Sequence, residues 1–124
     1  MARDAYEEFL KSLERRRAPA MEAAGALLAQ DRYDEAERAV TSVDDSIYGA
    51  VAVGRMYTER LRRLVEAGEG RGERAKETFR RALRWRQSAY PEAHTEVEAE
   101  QYERGCAEDL AELVKILGYD ASRA

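Results

Sequence analysis

One cysteine, one histidine, one tryptophan and two prolines stand among 124 residues. A lone Cys106 cannot close an internal disulfide, which excludes the stapled secreted scaffolds and suits a reducing cytoplasm. A lone His94 leaves no room for histidine-rich metal sites. Lysine is scarce too: Lys11, Lys76 and Lys115 are the only three among 21 basic residues. That bias reads as the codon usage of a GC-rich, bacterial genome, not as chemistry. No apolar run approaches the ~18 residues that a membrane span needs. The first eight residues are acidic and amphipathic and lack the apolar centre of a signal peptide. Two-residue alternation of apolar and polar positions is also missing, so no strand is expected.

What remains is rich in alanine, glutamate, arginine and leucine, all of which lose little in a helix. The expectation is therefore a single all-α domain over residues 1–124, of five or six helices packed as antiparallel hairpins. At this length such a domain can bury about two-thirds of its unfolded surface without metal or disulfide. Spacings of three and four place helices over residues 3–16, 19–30, 33–43, 46–67, 73–89 and 91–117. Pro19 separates the first two, because its ring removes a donor and restricts Ala18. Asp44, Asp45 and Ser46 can cap the fourth, whose first half, Ile47 to Tyr57, carries one charge, Arg55. Such a segment belongs at the centre of the fold, and Gly49 and Gly54 predict close approach of a neighbour. Gly68 to Gly72 forms the clearest turn.

The stretch Gln30-Asp31-Arg32-Tyr33-Asp34-Glu35-Ala36-Glu37-Arg38-Ala39-Val40 resembles the turn and second helix of a tetratricopeptide repeat. Gly72-Glu73-Arg74-Ala75-Lys76-Glu77-Thr78-Phe79-Arg80-Arg81-Ala82-Leu83 resembles it again. Ala36 and Ala75 match the small residue where the repeat's helices cross, Val40 and Phe79 the large apolar position four residues on, and Ala82 the next small one. The resemblance implies a hairpin stack with a concave face that binds peptides or proteins. Ala36 and Ala75 lie 39 residues apart where the family repeats every ~34, and the first helices lack the family's Trp, Leu, Gly and Tyr pattern. An irregular bundle is the alternative.

Chemistry-bearing residues are few. His94 and Glu98 form an i, i+4 pair off the apolar stripe, short of a metal-ligand set. Cys106 lies on that stripe, where a thiol is a small inert hydrophobe. The loop from Gly68 to Gly72 follows no strand and lacks the Lys-Ser or Lys-Thr of a phosphate cradle. No catalytic residue, cofactor or metal is expected, and the chain reads as a binder, not an enzyme.

Charge is the informative feature. The net −4 is sorted: −4 over residues 1–54, +6 over 55–86 and −6 over 87–124. Lys76, Arg80 and Arg84 repeat every four residues, as do Glu92, Glu96 and Glu100. Folding at Tyr90-Pro91 would bring Arg84 to Glu96 and Arg80 to Glu100. If the rows do not meet, a homodimer joining basic row to acidic row is the alternative. Arg86 and Glu103 fall on inward stripes and need partners if buried. Arg55, Arg62, Arg63, Arg71 and Arg74 are the candidate partner-binding residues, with Arg60 beside them. Trp85 is the candidate anchor, or else packs inside. The leading expectation is a cytoplasmic adaptor, chaperone or regulator that binds a protein or peptide. The second is a helical subunit of a bacterial nucleic-acid-associated complex that uses those arginines. No membrane partner is expected.

Overall fold

The computed structural model describes residues 2–43 and 47–118. They form five helices, α1 (Ala2–Ala29), α2 (Tyr33–Thr41), α3 (Ile47–Glu66), α4 (Glu73–Ser88) and α5 (Glu96–Leu117), and no strand among the described residues. The expected caps Asp44, Asp45 and Ser46 and the tail beyond Gly118 lie outside them.

Pro19 does not end a helix. The two helices expected over 3–16 and 19–30 are one helix of 28 residues with Pro19 inside it. An interior proline costs about 3 kcal/mol, through a lost hydrogen bond and a crowded carbonyl. Pro19 is exposed, while Leu13 before it and Ala24 and Leu28 after it are buried. Burying both halves of that stripe offsets the cost. The helix stops where Asp31 takes a φ of 60° and the Arg32 N–H bonds back to the Leu27 carbonyl at 3.0 Å. Asp tolerates this left-handed turn better than most residues, and α2 then returns along α1.

The second hairpin, α3 with α4, turns at Gly68, whose φ is +80°. There the Glu69 N–H reaches the Leu64 carbonyl at 2.8 Å, the backbone closure that a C-terminal glycine permits. As its apolar first half predicted, α3 is the central element: it packs on each of the other four helices. Val53, Tyr57 and Leu61 are fully buried on it, and each such side chain contributes roughly 1.5–3 kcal/mol. Gly54 lets α4 close in, since a Cβ there would stand 2.7 Å from Arg86 Cγ and 3.5 Å from the Arg86 nitrogen.

Trp85 takes the packed alternative. It lies against the core, and its Nε1 donates to Glu37 Oε1 of α2 at 2.7 Å. That hydrogen bond ties α4 to α2.

α5 begins at Glu96, five residues after Pro91, where the Thr95 hydroxyl accepts from the Glu98 N–H at 3.1 Å. The Glu98 carboxylate reaches back to the His94 backbone N–H at 3.0 Å, so the expected His94–Glu98 pair forms through the main chain. Glu92 therefore lies outside the helix. The two charge rows do not meet either. Lys76 pairs with Glu73 and Arg80 with Glu77 on their own helix, and Arg84 lies 3.8 Å from Glu37. Glu96 and Glu100 are exposed and make no ion pair among the described residues. The late start of α5 removes the register that the pairing required. α4 meets the second half of α5 instead, with Arg86 2.7 Å from Asp109 and 2.6 Å from Glu112. Leu113 is fully buried beside them, and Ile116 and Leu117 pack on the core. Among the described residues, no helix is long and apolar enough to cross a membrane.

Candidate interaction groove

The face of α3 not covered by α4 floors an open groove of about 730 Å³. Val51, Arg55, Thr58, Glu59 and Arg62 come from α3 at helical spacing. Met21 contributes from α1, Arg86 from α4, Ala89 and Tyr90 from the connection, and Asp109 and Glu112 from α5. Its volume falls in the range of ligand-binding clefts.

The polar wall is built around Arg86. Its side chain is 21% exposed, and a buried guanidinium without carboxylates would be strongly destabilising. Asp109 and Glu112 answer it from one turn of α5. Glu112 also takes Arg62 Nη2 at 3.2 Å, and Arg62 reaches Glu59 at 3.5 Å. The hydrogen bond from Arg86 holds the Glu112 pKa below its ordinary value. Tyr90 donates its hydroxyl to Asp109 Oδ2 at 3.2 Å and stacks at a tilt on Tyr102, ring centroids 5.6 Å apart. Burial, then the charge of Asp109, pushes its pKa up. Gly105 makes room for this ring, since a Cβ there would stand 2.4 Å from the Tyr90 oxygen.

These groups hold one another. Thr58 donates to the Gly54 carbonyl at 2.7 Å, and no buried side-chain polar atom among the described residues lacks a partner. Burial, then Asp109, raises the Cys106 pKa and keeps the thiol protonated. No hydrogen bond joins Cys106 to His94. Among the described residues, no three His, Cys, Asp or Glu side chains gather as a metal site would require. Arg55 is exposed and makes no ion pair among the described residues, so its guanidinium is available to a ligand.

The expected arginine patch is thus divided. Arg55 and Arg62 share the groove. Arg63 lies 3.7 Å from Glu59 and lines a smaller hollow with Arg60 against α1. Arg74 pairs with Asp31 at 2.9 Å, which ties the start of α4 to the α1–α2 turn. Arg71 is exposed and unpaired in the α3–α4 connection.

The chain matches no protein-family model, no curated protein and no solved structure. The tetratricopeptide resemblance therefore rests on the quoted residues alone. Asp109, Glu112 and Tyr90 were missed in the sequence. One signal was present: Asp109 sits between Cys106 and Leu113 on the stripe of α5, and an inward carboxylate needs a cation such as the inward Arg86; Glu103, expected inward, is exposed.

Proposed function

We propose that this chain is a non-catalytic interaction module that seats a segment of a partner protein along the groove floored by α3. The carrying observation is the groove itself: open, about 730 Å³, walled by groups already paired with one another, with the free guanidinium of Arg55 on its lining. A wall whose charges are satisfied need not rearrange to receive a ligand, which lowers the cost of binding. The hydroxyls of Thr58 and Tyr90 are committed as donors within the wall, which supports a preformed binding surface.

The proposal extends to the repeat reading, with α1–α2 and α3–α4 as two degenerate hairpins. Ala36 and Ala75 have the same place in the two second helices and are both fully buried, which supports it. A cytoplasmic adaptor, chaperone or regulator is the role this reading supposes. The nucleic-acid alternative has less support, because Arg62, Arg63 and Arg74 are drawn into ion pairs and only Arg55 and Arg71 of the candidates stay unpaired.

Display selection of random peptides tests it. Selected peptides should bind Arg55→Glu about tenfold more weakly and Arg71→Glu unchanged. Single-stranded nucleic acid bound with a steep salt dependence, and weakened equally by both substitutions, would replace this reading with the alternative.

A further inference from the structure

Among the described residues, no helix covers the first half of α1. α1 is 28 residues long and α2 only nine, and every described side chain from Asp4 to Ser12 is exposed. Yet this segment is amphipathic: Tyr6, Phe9, Leu10 and Leu13 recur at the i, i+3, i+4, i+7 spacing of a face built to be buried. Tyr6 is 60% exposed, Phe9 57% and Leu10 39%. Leu13, Val43 and Tyr48 close the end of this stripe, and a shallow apolar hollow of about 440 Å³ opens there. Tyr6, Phe9 and Leu10 leave about 300 Å² of largely apolar surface open, the size at which a surface patch marks an interaction site.

We propose that this stripe is a self-association surface, on which the same half of α1 from a second copy packs antiparallel. Area is the first argument. Two copies would cover about 600 Å² of largely apolar surface, and their polar rims bring the contact toward the 1,200–2,000 Å² typical of stable pairs. Shape is the second: a stripe one helix wide is covered by one helix, and the same helix of a second copy carries an identical stripe. Charge fixes the direction. Asp4 and Glu8 mark the beginning of the segment and Arg15 and Arg16 its end, none of them ion-paired among the described residues. An antiparallel pair lays acidic end over basic end and opposes the two helix dipoles, whereas a parallel pair stacks like on like. The contact is isologous and closes as a dimer. It lies apart from the groove, so it stands or falls independently of the peptide-binding reading.

Sedimentation equilibrium at about 100 μM, where weak pairs are populated, should find a dimer. Phe9→Glu with Leu10→Glu should weaken it at least ~100-fold while circular dichroism stays unchanged, because both side chains are exposed. Raising NaCl from ~0.1 to ~1 M should leave the dimer intact, as apolar contacts are not screened. Ala5 and Arg16 lie on one flank of the stripe by helical spacing. In a Cys106→Ser background, Ala5→Cys and Arg16→Cys chains should therefore form disulfides with each other when mixed and not with themselves. A monomer at that concentration, or a dimer indifferent to the Phe9 and Leu10 substitutions, overturns the proposal. So does a dimer dissolved by salt, which would place the seam on the exposed charge rows. Disulfide formation by Ala5→Cys alone would overturn the antiparallel arrangement.

Discussion

Glu37 ties α2 to both α3 and α4. Only 12% of its side chain is exposed, and it accepts from Tyr57 Oη at 3.0 Å, Trp85 Nε1 at 2.7 Å and Arg81 Nη1 at 3.2 Å. Three helices, α2, α3 and α4, therefore meet on one carboxylate. Arg81 is itself largely buried, over the Tyr33 ring at 4.8 Å and 2.7 Å from Glu77. Burial works against its charge, but the hydrogen bonds it donates to Glu77, Tyr57 and Asp34 outweigh it and raise its pKa. Burial, then the charge of Glu37, raises that of Tyr57. Truncating Glu37 to alanine strands the Trp85 donor, leaves the Tyr57 hydroxyl only its longer bond to the Tyr33 carbonyl at 3.4 Å, and removes one anion from Arg81. Urea denaturation should register a loss of about 2–4 kcal/mol for Glu37→Ala and roughly half that for Glu37→Gln, which keeps an acceptor. A loss under ~0.5 kcal/mol, the level of an ordinary surface substitution, would mean that apolar packing alone positions α2. Nothing local in the sequence marks this residue, because Trp85 lies 48 positions away and Tyr57 lies 20.

At the scale of elements, apolar periodicity located the helices and the glycines from Gly68 to Gly72 located the bend between α3 and α4. Both signals are local, and Ile47 to Tyr57, nearly without charge, had to be central. Register between helices is not local, and there the reading of α4 against α5 failed. Charge spacing counted Glu92, Glu96 and Glu100 as one row, but a helix that starts at Thr95 rather than Pro91 cannot present it. The capping hydroxyl of Thr95 and the reach of Glu98 were legible in principle, as a Thr three residues before a Glu. Pro19 was misread because a proline rule weighs one lost bond, while burial along the whole stripe of α1 decides. The corrected register gives a contrasting prediction. Glu96→Arg with Glu100→Arg should leave stability within about 0.5 kcal/mol, as for exposed sites without partners. Asp109→Ala should cost about 3 kcal/mol or more, because it removes an anion from the part-buried Arg86 and the acceptor of Tyr90. Paired denaturation curves of the two variants decide between the registers.

Over the whole molecule, the sorted charge becomes an arrangement in space. The basic stretch folds as the α3–α4 hairpin, and acidic side chains reach it from two directions. Asp31, Asp34 and Glu37 come from the α1–α2 turn and α2 to Arg74 and Arg81, and Asp109 and Glu112 come from α5 to Arg62 and Arg86. These contacts hold only while the carboxylates are ionised, so pH should test the arrangement. The hydrogen bond from Arg86 lowers the Glu112 pKa, and those from Arg81 and then Arg80 lower that of Glu77. Each folded-state pKa thus lies below the unfolded Glu value of about 4.3. As pH falls, the unfolded chain takes up the proton first, so stability drops from near that value downward through the folded pKa. Above it the contribution is fully present, and no loss from these two groups is expected between neutral pH and about 5.5. Chemical denaturation from neutral pH to about pH 3 should therefore give a plateau and then a decline. Glu112→Gln should start less stable at neutral pH and decline less steeply, because it no longer has that proton to take up. Glu100→Gln, exposed and unpaired, should retrace the parent curve. If Glu112→Gln also retraced it, the pairs of Glu112 with Arg62 and Arg86 would contribute nothing in solution, and Asp109 with Leu113, Ile116 and Leu117 would hold that helix on the hairpin.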